Sequence, residues 1–324
     1  MKKKHGMVLG KFYPPHNGHK YLIEMASNLV DELTVVVGSL PSESIPGELR
    51  FEWMQEMCHR KINVVHLHKD LPQHPDEHAN FWSIWKEELI KILPNPTDVV
   101  FASEEYGWKL ADVIDAEFYP IDINRVAVPI SATQIRNSVV KNFDFIARPA
   151  RPYFTKRVCI IGPESTGKST LCELLAKEFS TSWVPEYARS LIEAKKGEIN
   201  ESDMLKIAKA QIASEDILAK DSNGVLICDT DILTTKLWSQ ELFGVSSPEL
   251  DNLAMRNYDL TLLLNVDVPW VDDVVRFSPE NRDVFYKRFI KNLELRKRPF
   301  TEIRGNWESR FKQARNEILN AFDL

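Results

Sequence analysis

The chain has 324 residues, 44% hydrophobic and 27% charged, which is enough for two globular domains with a core each. Its formal charge of -6 leaves no broad basic face for nucleic acid, and no apolar run approaches the ~18–20 residues that span a bilayer. The basic Met1-Lys2-Lys3-Lys4-His5 start lacks the apolar stretch of a secretion signal, because Gly6 to Leu9 already reads as a strand. Cys58, Cys159, Cys172 and Cys228 stand far apart in apolar contexts without a CxxC pair. They read as reduced, buried thiols, which predicts a cytoplasmic protein and argues against structural zinc.

In chain order, Gly6 to Leu9 is followed by a helix pattern over 19–29 and an apolar strand over 33–38. Leu49, Trp53, Met54 and Met57 recur at helical spacing before the strand 62–67, the helix pattern 81–93 and the strand 99–102. Ser131 to Val140 reads as the last helix of this half. Arg148-Pro149-Ala150-Arg151-Pro152 then breaks the alternation and predicts a short, stiff connector. The alternation restarts at 157–162 and continues through 225–228 and 260–264. Uniformly apolar strands between helices predict parallel sheets covered on both faces. The expected architecture is therefore α/β, with two three-layer parallel-sheet domains at 1–150 and 151–324.

Directly after the first strand comes Gly10-Lys11-Phe12-Tyr13-Pro14-Pro15-His16-Asn17-Gly18-His19. His16 and His19 sit three apart at a helix start, where both can face one anion beside the backbone donors of the helix N-terminus. Gly18 leaves room for a phosphate to approach the backbone. Zinc is the rival for paired histidines, but no third ligand stands at metal spacing. At the far end of this half, Ile130-Ser131-Ala132-Thr133-Gln134-Ile135-Arg136 opens a helix with capping hydroxyls and sets Arg136 one turn in, suited to ATP phosphates. An ordinary capped helix is the plain alternative for that segment taken alone. Candidate ATP contacts here are Gly10, Lys11, Phe12, Gly18, Ser131 and Thr133, with His16, His19 and Arg136 as catalytic groups.

In the second half, Gly162-Pro163-Glu164-Ser165-Thr166-Gly167-Lys168-Ser169 fits G-x-x-x-x-G-K-[ST] between an apolar strand and a helix pattern. Its amides point inward at phosphate oxygens, Lys168 adds a point charge and Ser169 offers a hydroxyl to Mg²⁺. Candidate ATP contacts are Gly162, Glu164, Ser165, Thr166, Gly167, Ser169, Thr170 and Arg282. The strand 225–228 ends in Asp229-Thr230-Asp231, where Asp229 is placed to hold Mg²⁺ with Ser169 and Asp231 to bind substrate hydroxyls; an exposed Asp pair at a turn is the bland reading. Arg276 and Arg282 follow Pro269-Trp270-Val271-Asp272-Asp273 and are candidates for a lid that closes on the phosphates, against the alternative of a solvated charged helix. Val184-Pro185-Glu186-Tyr187-Ala188-Arg189 follows a strand-like run on the catalytic side of the sheet. Glu186 competes with Asp229 and Asp231 as catalytic base, and Tyr187 and Arg189 are candidate substrate contacts.

The pairing of His16-x-Gly18-His19 with Ile130-Ser131-x-Thr133-x-x-Arg136 resembles the HxGH-type nucleotidylyltransferases. Joined to a P-loop domain with Pro-Glu-Tyr-Ala-Arg, Asp-Thr-Asp-x-x-Thr-Thr and Pro-Trp-Val-Asp-Asp, it resembles the bifunctional nicotinamide-nucleotide adenylyltransferase/ribosylnicotinamide kinases over essentially the whole chain. That resemblance implies a Rossmann-like adenylyltransferase domain and a P-loop kinase domain. It also implies ATP as co-substrate of both, Mg²⁺, and nicotinamide riboside and its mononucleotide as partners, with no nucleic acid or membrane and with room for a homo-oligomer. Trp82, within Asn80-Phe81-Trp82-Ser83-Ile84-Trp85, is similar to the region that stacks on nicotinamide, with core packing as an equal reading. Two departures stand out. The catalytic fold is expected from about residue 6, without the helix-turn-helix domain of the repressor members, and Val274-Val275-Arg276 stands where a glycine is expected. The motifs alone also permit another adenylyltransferase joined to a different small-molecule kinase, or a sensor of NAD and ATP.

Overall fold

A computed structural model describes residues 3–271 and 281–322. The chain divides into two compact units, Met1–Arg151 and Pro152–Leu324. The first runs β1 (His5–Gly10), α1 (Asn17–Ser27), β2 (Glu32–Ser39), α2 (Gly47–Met57), β3 (Ile62–His68), α3 (Phe81–Ile92), β4 (Val99–Ala102), α4 (Tyr106–Ile114), β5 (Glu117–Pro120) and α5 (Ala132–Asn137). Its strands pair in parallel in the order β3-β2-β1-β4-β5. The period-two alternation of a strand then sorts the core onto two faces. Val8, Val35, Val37 and Phe101 meet Leu22, Ile23 and Met54 of α1 and α2, while Met7, Val36 and Val100 meet Leu89 of α3 and Leu110 of α4. Because chain order reverses across β1, a crevice opens at the carboxyl ends of β1 and β4.

The second unit runs α6 (Arg151–Phe154), β6 (Lys156–Ile161), α7 (Lys168–Glu178), β7 (Trp183–Val184), α8 (Tyr187–Ala194), α9 (Glu201–Ala219), β8 (Val225–Asp229), α10 (Ile232–Phe243), α11 (Pro248–Leu253), β9 (Leu260–Leu264), α12 (Arg282–Leu295), β10 (Thr301–Ile303) and α13 (Trp307–Phe322). The sheet is again parallel, in the order β10-β9-β6-β8-β7. Val158, Ile160, Ile227 and Leu262 pack on Leu171 and Leu175 of α7 and Ile318 of α13. Cys159, Ile161 and Leu263 face Leu237 of α10 and Phe289 of α12 on the other side. Both sheets are therefore apolar on both faces, as their unbroken hydrophobic strands require.

Three sequence expectations differ from what is observed. The pattern assigned nothing between 102 and 131, where α4 and the half-exposed β5 complete the sheet. The helix expected from Ser131 to Val140 stops at Asn137, and Asn142 Nδ2 donates to the carbonyls of Gln134 and Ser138 at 3.0 and 2.8 Å. The stiff connector is helical instead, with a 3₁₀ turn at Arg148–Ala150 leading into α6. Pro149 and Ala150 are buried, and Arg151 donates to the carbonyls of Ile146 and Asp144. Proline at the start of a helical turn loses no hydrogen bond, which is why the segment tolerates it. Cys159, Cys172 and Cys228 are buried free thiols, whereas Cys58 is only half-buried. Among the described residues no helix is long and apolar enough to cross a membrane.

Candidate active sites

In the first unit the loop from β1 to α1 turns on His16, the N-cap residue of α1 with extended backbone. His16 Nδ1 accepts from the Gly18 amide at 3.1 Å, and His19 Nδ1 accepts from the His16 amide at 3.3 Å. With both Nδ1 atoms accepting, each neutral ring carries its proton on Nε2, where it can donate to an anion. The rings stack with centroids 3.7 Å apart, and Phe12, 1% exposed, packs edge-on to His19. Burial lowers the His16 pKa to about 4, helped by the Arg125 charge. Burial, then His16 and Arg125, drives that of His19 well down. A Cβ at Gly18 would stand 2.9 Å from the His16 ring, so glycine is required for this pair to close.

The facing wall comes from the segment between β5 and α5. The Asp122 carboxylate accepts the amides of Val126, Ala127 and Val128 at 2.7, 3.0 and 3.1 Å, which curls this loop. Arg125, at φ 52°, is thereby turned to donate to Ile130 O at 2.9 Å and to Glu104 at 3.0 Å. Ser131 caps α5 through the Gln134 amide, and Gln134 Oε1 accepts from the Ser131 amide in return. A cavity of about 120 Å³ results, lined by His16, Gly18, His19, Arg125, Ser131 and Thr133 among others. Arg136 lies beside it, donating to Tyr13 O at 2.5 Å and Thr133 Oγ1 at 3.1 Å, with its guanidinium over the Tyr13 ring. Lys11 ion-pairs with Glu43 at 3.2 Å. Beneath the loop lies the wholly buried Arg50, which donates to Lys11 O at 2.7 Å and pairs with Glu43. Gly10, Lys11 and Phe12 thus shape the loop rather than the cavity wall, and Trp82 packs edge-on to Phe81 in the core face of α3.

In the second unit the loop Gly162–Ser169 joins β6 to α7. Gly162 (φ +150°) lies against β9, where a Cβ would meet Leu264 O at 2.9 Å. Gly167 (φ +85°) is the N-cap of α7 and is covered by the Trp307 ring. Lys168 Nζ donates to Gly162 O at 3.1 Å and Pro163 O at 3.0 Å. A cavity of about 250 Å³ opens here. Its polar lining includes Glu164, Ser165, Gly167, Lys168, Ser169, Thr170, Glu186, Arg189, Thr234 and Thr235, and its apolar lining Ile192, Ile199, Met204, Trp238 and Leu242. Asp229 is 1% exposed, with Oδ1 buried and without a hydrogen-bond partner among the described residues. Burial and then the Glu186 charge raise its pKa, against Lys168 and the Ser169 hydroxyl bond that lower it.

Asp231 is not where the sequence reading put it. It is fully buried as the N-cap of α10, with Oδ1 accepting from the Thr234 amide and hydroxyl at 2.9 Å and Oδ2 paired with Arg298. Both oxygens are engaged within the fold, which leaves Asp231 buried beneath Thr234 and Thr235 rather than on the cavity lining. Tyr187 is 36% exposed, and its amide donates to Gln211 Oε1. Arg189 lines the cavity and ion-pairs with Glu193 at 3.7 Å. Thr166 is buried behind its loop, and Arg282 donates to Ser165 O at 3.3 Å and Val268 O at 3.0 Å. Arg276 and Val274-Val275 lie outside the described residues.

A cytidylyltransferase-like family model matches residues 7–138, and an AAA-domain model matches 157–310. The trifunctional NAD biosynthesis/regulator protein NadR of Escherichia coli (strain K12) is 30% identical over 96% of this chain and 81% of its own length. The chain belongs to the NadR family. A crystal structure of a NadR protein in complex with NR superposes with a TM-score of 0.78 at 23% identity, covering 99% of this chain and 97% of that one. The nicotinamide-nucleotide adenylyltransferase of Thermococcus onnurineus is 29% identical over 43% of this chain and 73% of its own. In this NadR-family chain, sequence reasoning missed Arg125, Arg50, Trp238 and the apolar lining of the second cavity. Arg125 follows a short, half-exposed strand that carries no periodic signal, and the apolar lining is indistinguishable from core until the helices are placed.

Proposed function

We propose that the unit bearing Lys168 phosphorylates nicotinamide riboside with ATP, and that the unit bearing His16 and His19 transfers the adenylyl group of ATP to the resulting mononucleotide. The product is NAD, and pyrophosphate leaves. The observation that carries this is the lining of the second cavity, where the P-loop residues Gly167, Lys168 and Ser169 share one space with Trp238 and several apolar side chains. Aromatic and apolar side chains suit a flat heterocycle, and the polar ones suit a ribose and a triphosphate. The first cavity, lined by the two imidazoles, Arg125 and the capped start of α5, offers a cluster of donors for phosphate oxygens.

In adenylyl transfer a phosphate oxygen of the mononucleotide attacks the α-phosphorus as the bond to pyrophosphate breaks. The Nε2–H groups of His16 and His19 and the guanidinium groups of Arg125 and Arg136 donate to the charge that builds up. In the kinase step the riboside 5′-hydroxyl attacks the γ-phosphorus as its bond to the β,γ-bridging oxygen breaks and ADP leaves, and the hydroxyl proton passes to Glu186, which lines the same cavity as Lys168. Asp229 and Ser169 fit Mg²⁺, since a buried unpartnered carboxylate oxygen beside a hydroxyl is a donor set for a hard cation. Bound there, the ion supplies charge neutralisation for the β- and γ-phosphates. The partners are small molecules and the compartment is the cytoplasm, where ATP and free thiols are maintained. Incubation with ATP, Mg²⁺ and nicotinamide riboside should yield mononucleotide first and then NAD, followed separately. NAD from added mononucleotide but none from riboside would remove the kinase half.

A further inference from the structure

Arg310, in the first turns of α13, is 1% exposed, yet its sequence neighbourhood is that of a surface helix. A buried guanidinium is tolerated only when its N–H groups are saturated, and here every nitrogen is engaged. Nη1 donates to Thr166 O at 2.6 Å, Nε to Gly305 O at 2.8 Å and Nη2 to Asn265 O at 2.8 Å. Nη2 also pairs with Asp267, whose other oxygen accepts the Gly305 amide at 2.6 Å. One side chain therefore binds the phosphate loop, the end of β9 and the turn after β10. Neutralising Asp267 alone would need none of the three backbone carbonyls.

The bond to Thr166 has a consequence for the loop. A trans peptide is planar, so its carbonyl and the following N–H point to opposite sides. With Thr166 O held by Arg310, the Gly167 N–H is turned away from Arg310, and Gly167 lines the cavity together with Lys168. Gly167 is also at φ +85°, where glycine sets no steric preference of its own, so the peptide needs an external constraint. We propose that Arg310 is the positioning residue of the phosphate loop, holding one amide donor of the anion site in its binding orientation from the far end of the unit. This rests on the reading of the second unit as an ATP-dependent kinase.

The expected effect is selective. An amide that meets phosphate in both ground and transition states contributes uniform binding, so its loss raises the KM for ATP more than it lowers kcat. In the full-length protein, Arg310→Ala should raise the KM for ATP in riboside phosphorylation by ~10- to 100-fold. The KM for riboside and adenylyl transfer should stay within about two-fold of the parent. Added guanidinium ion should restore part of the ATP affinity, and methylammonium should not. Arg310→Lys, which keeps charge without the fork, should behave like Arg310→Ala, and it serves as the test if the alanine variant does not fold. An unchanged KM for ATP overturns the proposal, as does an equal fall in riboside affinity and kcat, which marks a general scaffold role. A parent protein that does not phosphorylate riboside would instead remove the reading beneath it.

Discussion

Each sheet sets the first strand of its unit at the centre, and each anion loop leaves that strand for a helix N-terminus. The two loops nevertheless meet anions by different means. In the first unit the donors are two stacked imidazoles whose burial keeps them neutral, and charge comes from arginines on other segments. In the second unit the backbone itself curls, through glycines at φ +150° and +85°, and a lysine stands within the loop. Carboxylates accompany it there, with Asp229 buried within reach of the Lys168 and Glu186 charges and Glu186 lining the cavity. The contrast follows the chemistry each site has to perform. Adenylyl transfer employs an acceptor that is already an anionic nucleophile, so donors suffice. A riboside hydroxyl must lose a proton, so the second site calls for a carboxylate that can accept it.

The sharpest way to break this comparison is to remove the carboxylate. Glu186→Gln should cut riboside phosphorylation by ~10²–10⁴ with ATP and riboside affinity kept within several-fold. A variant that phosphorylates at the parent rate would return the base role to Asp229, because Asp231 is capped and paired. Separating the two units comes next. His19→Ala should lower adenylyl transfer by ~10²–10³ and leave the kinase near normal, and Lys168→Ala should do the reverse. Loss of both activities from either change, in a protein that stays folded, would contradict two independent sites.

The smallest effect concerns protons. The folded-state pKa of His16 is depressed from 6.5 to about 4 and that of His19 is depressed too, so the unfolded chain takes up protons first as pH falls. The stability contributed by the neutral pair is full above pH 6.5 and is lost as the pH drops from there through about 4. By the lower limit the loss from His16 is on the order of 3 kcal/mol. Chemical unfolding of the parent and of a His16→Asn, His19→Asn variant across that window should show the shallower slope in the variant. Equal slopes would place the protons on other groups.

Both glycine-containing loops, the long apolar strands of each half and the capped helix at Ser131 were legible in the sequence, because each is a local pattern. A glycine that must adopt a left-handed backbone, a strand apolar on both faces and a hydroxyl three residues before its amide partner all act over a few residues. Asp231 shows where that stops. Its position beside Asp229 at a strand end suggests a site carboxylate; the cap on the Thr234 amide is local, but only the tertiary structure brings Arg298 from after α12 to its other oxygen and buries it. Arg125, Arg50 and Arg310 show the same limit from the other side, since nothing near them in the chain marks a functional charge. A buried guanidinium is defined by the carbonyls it reaches, and Arg310 finds Thr166 across 144 residues. Local chemistry chose the loops that bind phosphate, and the packing of distant segments decided which side chains hold them in shape.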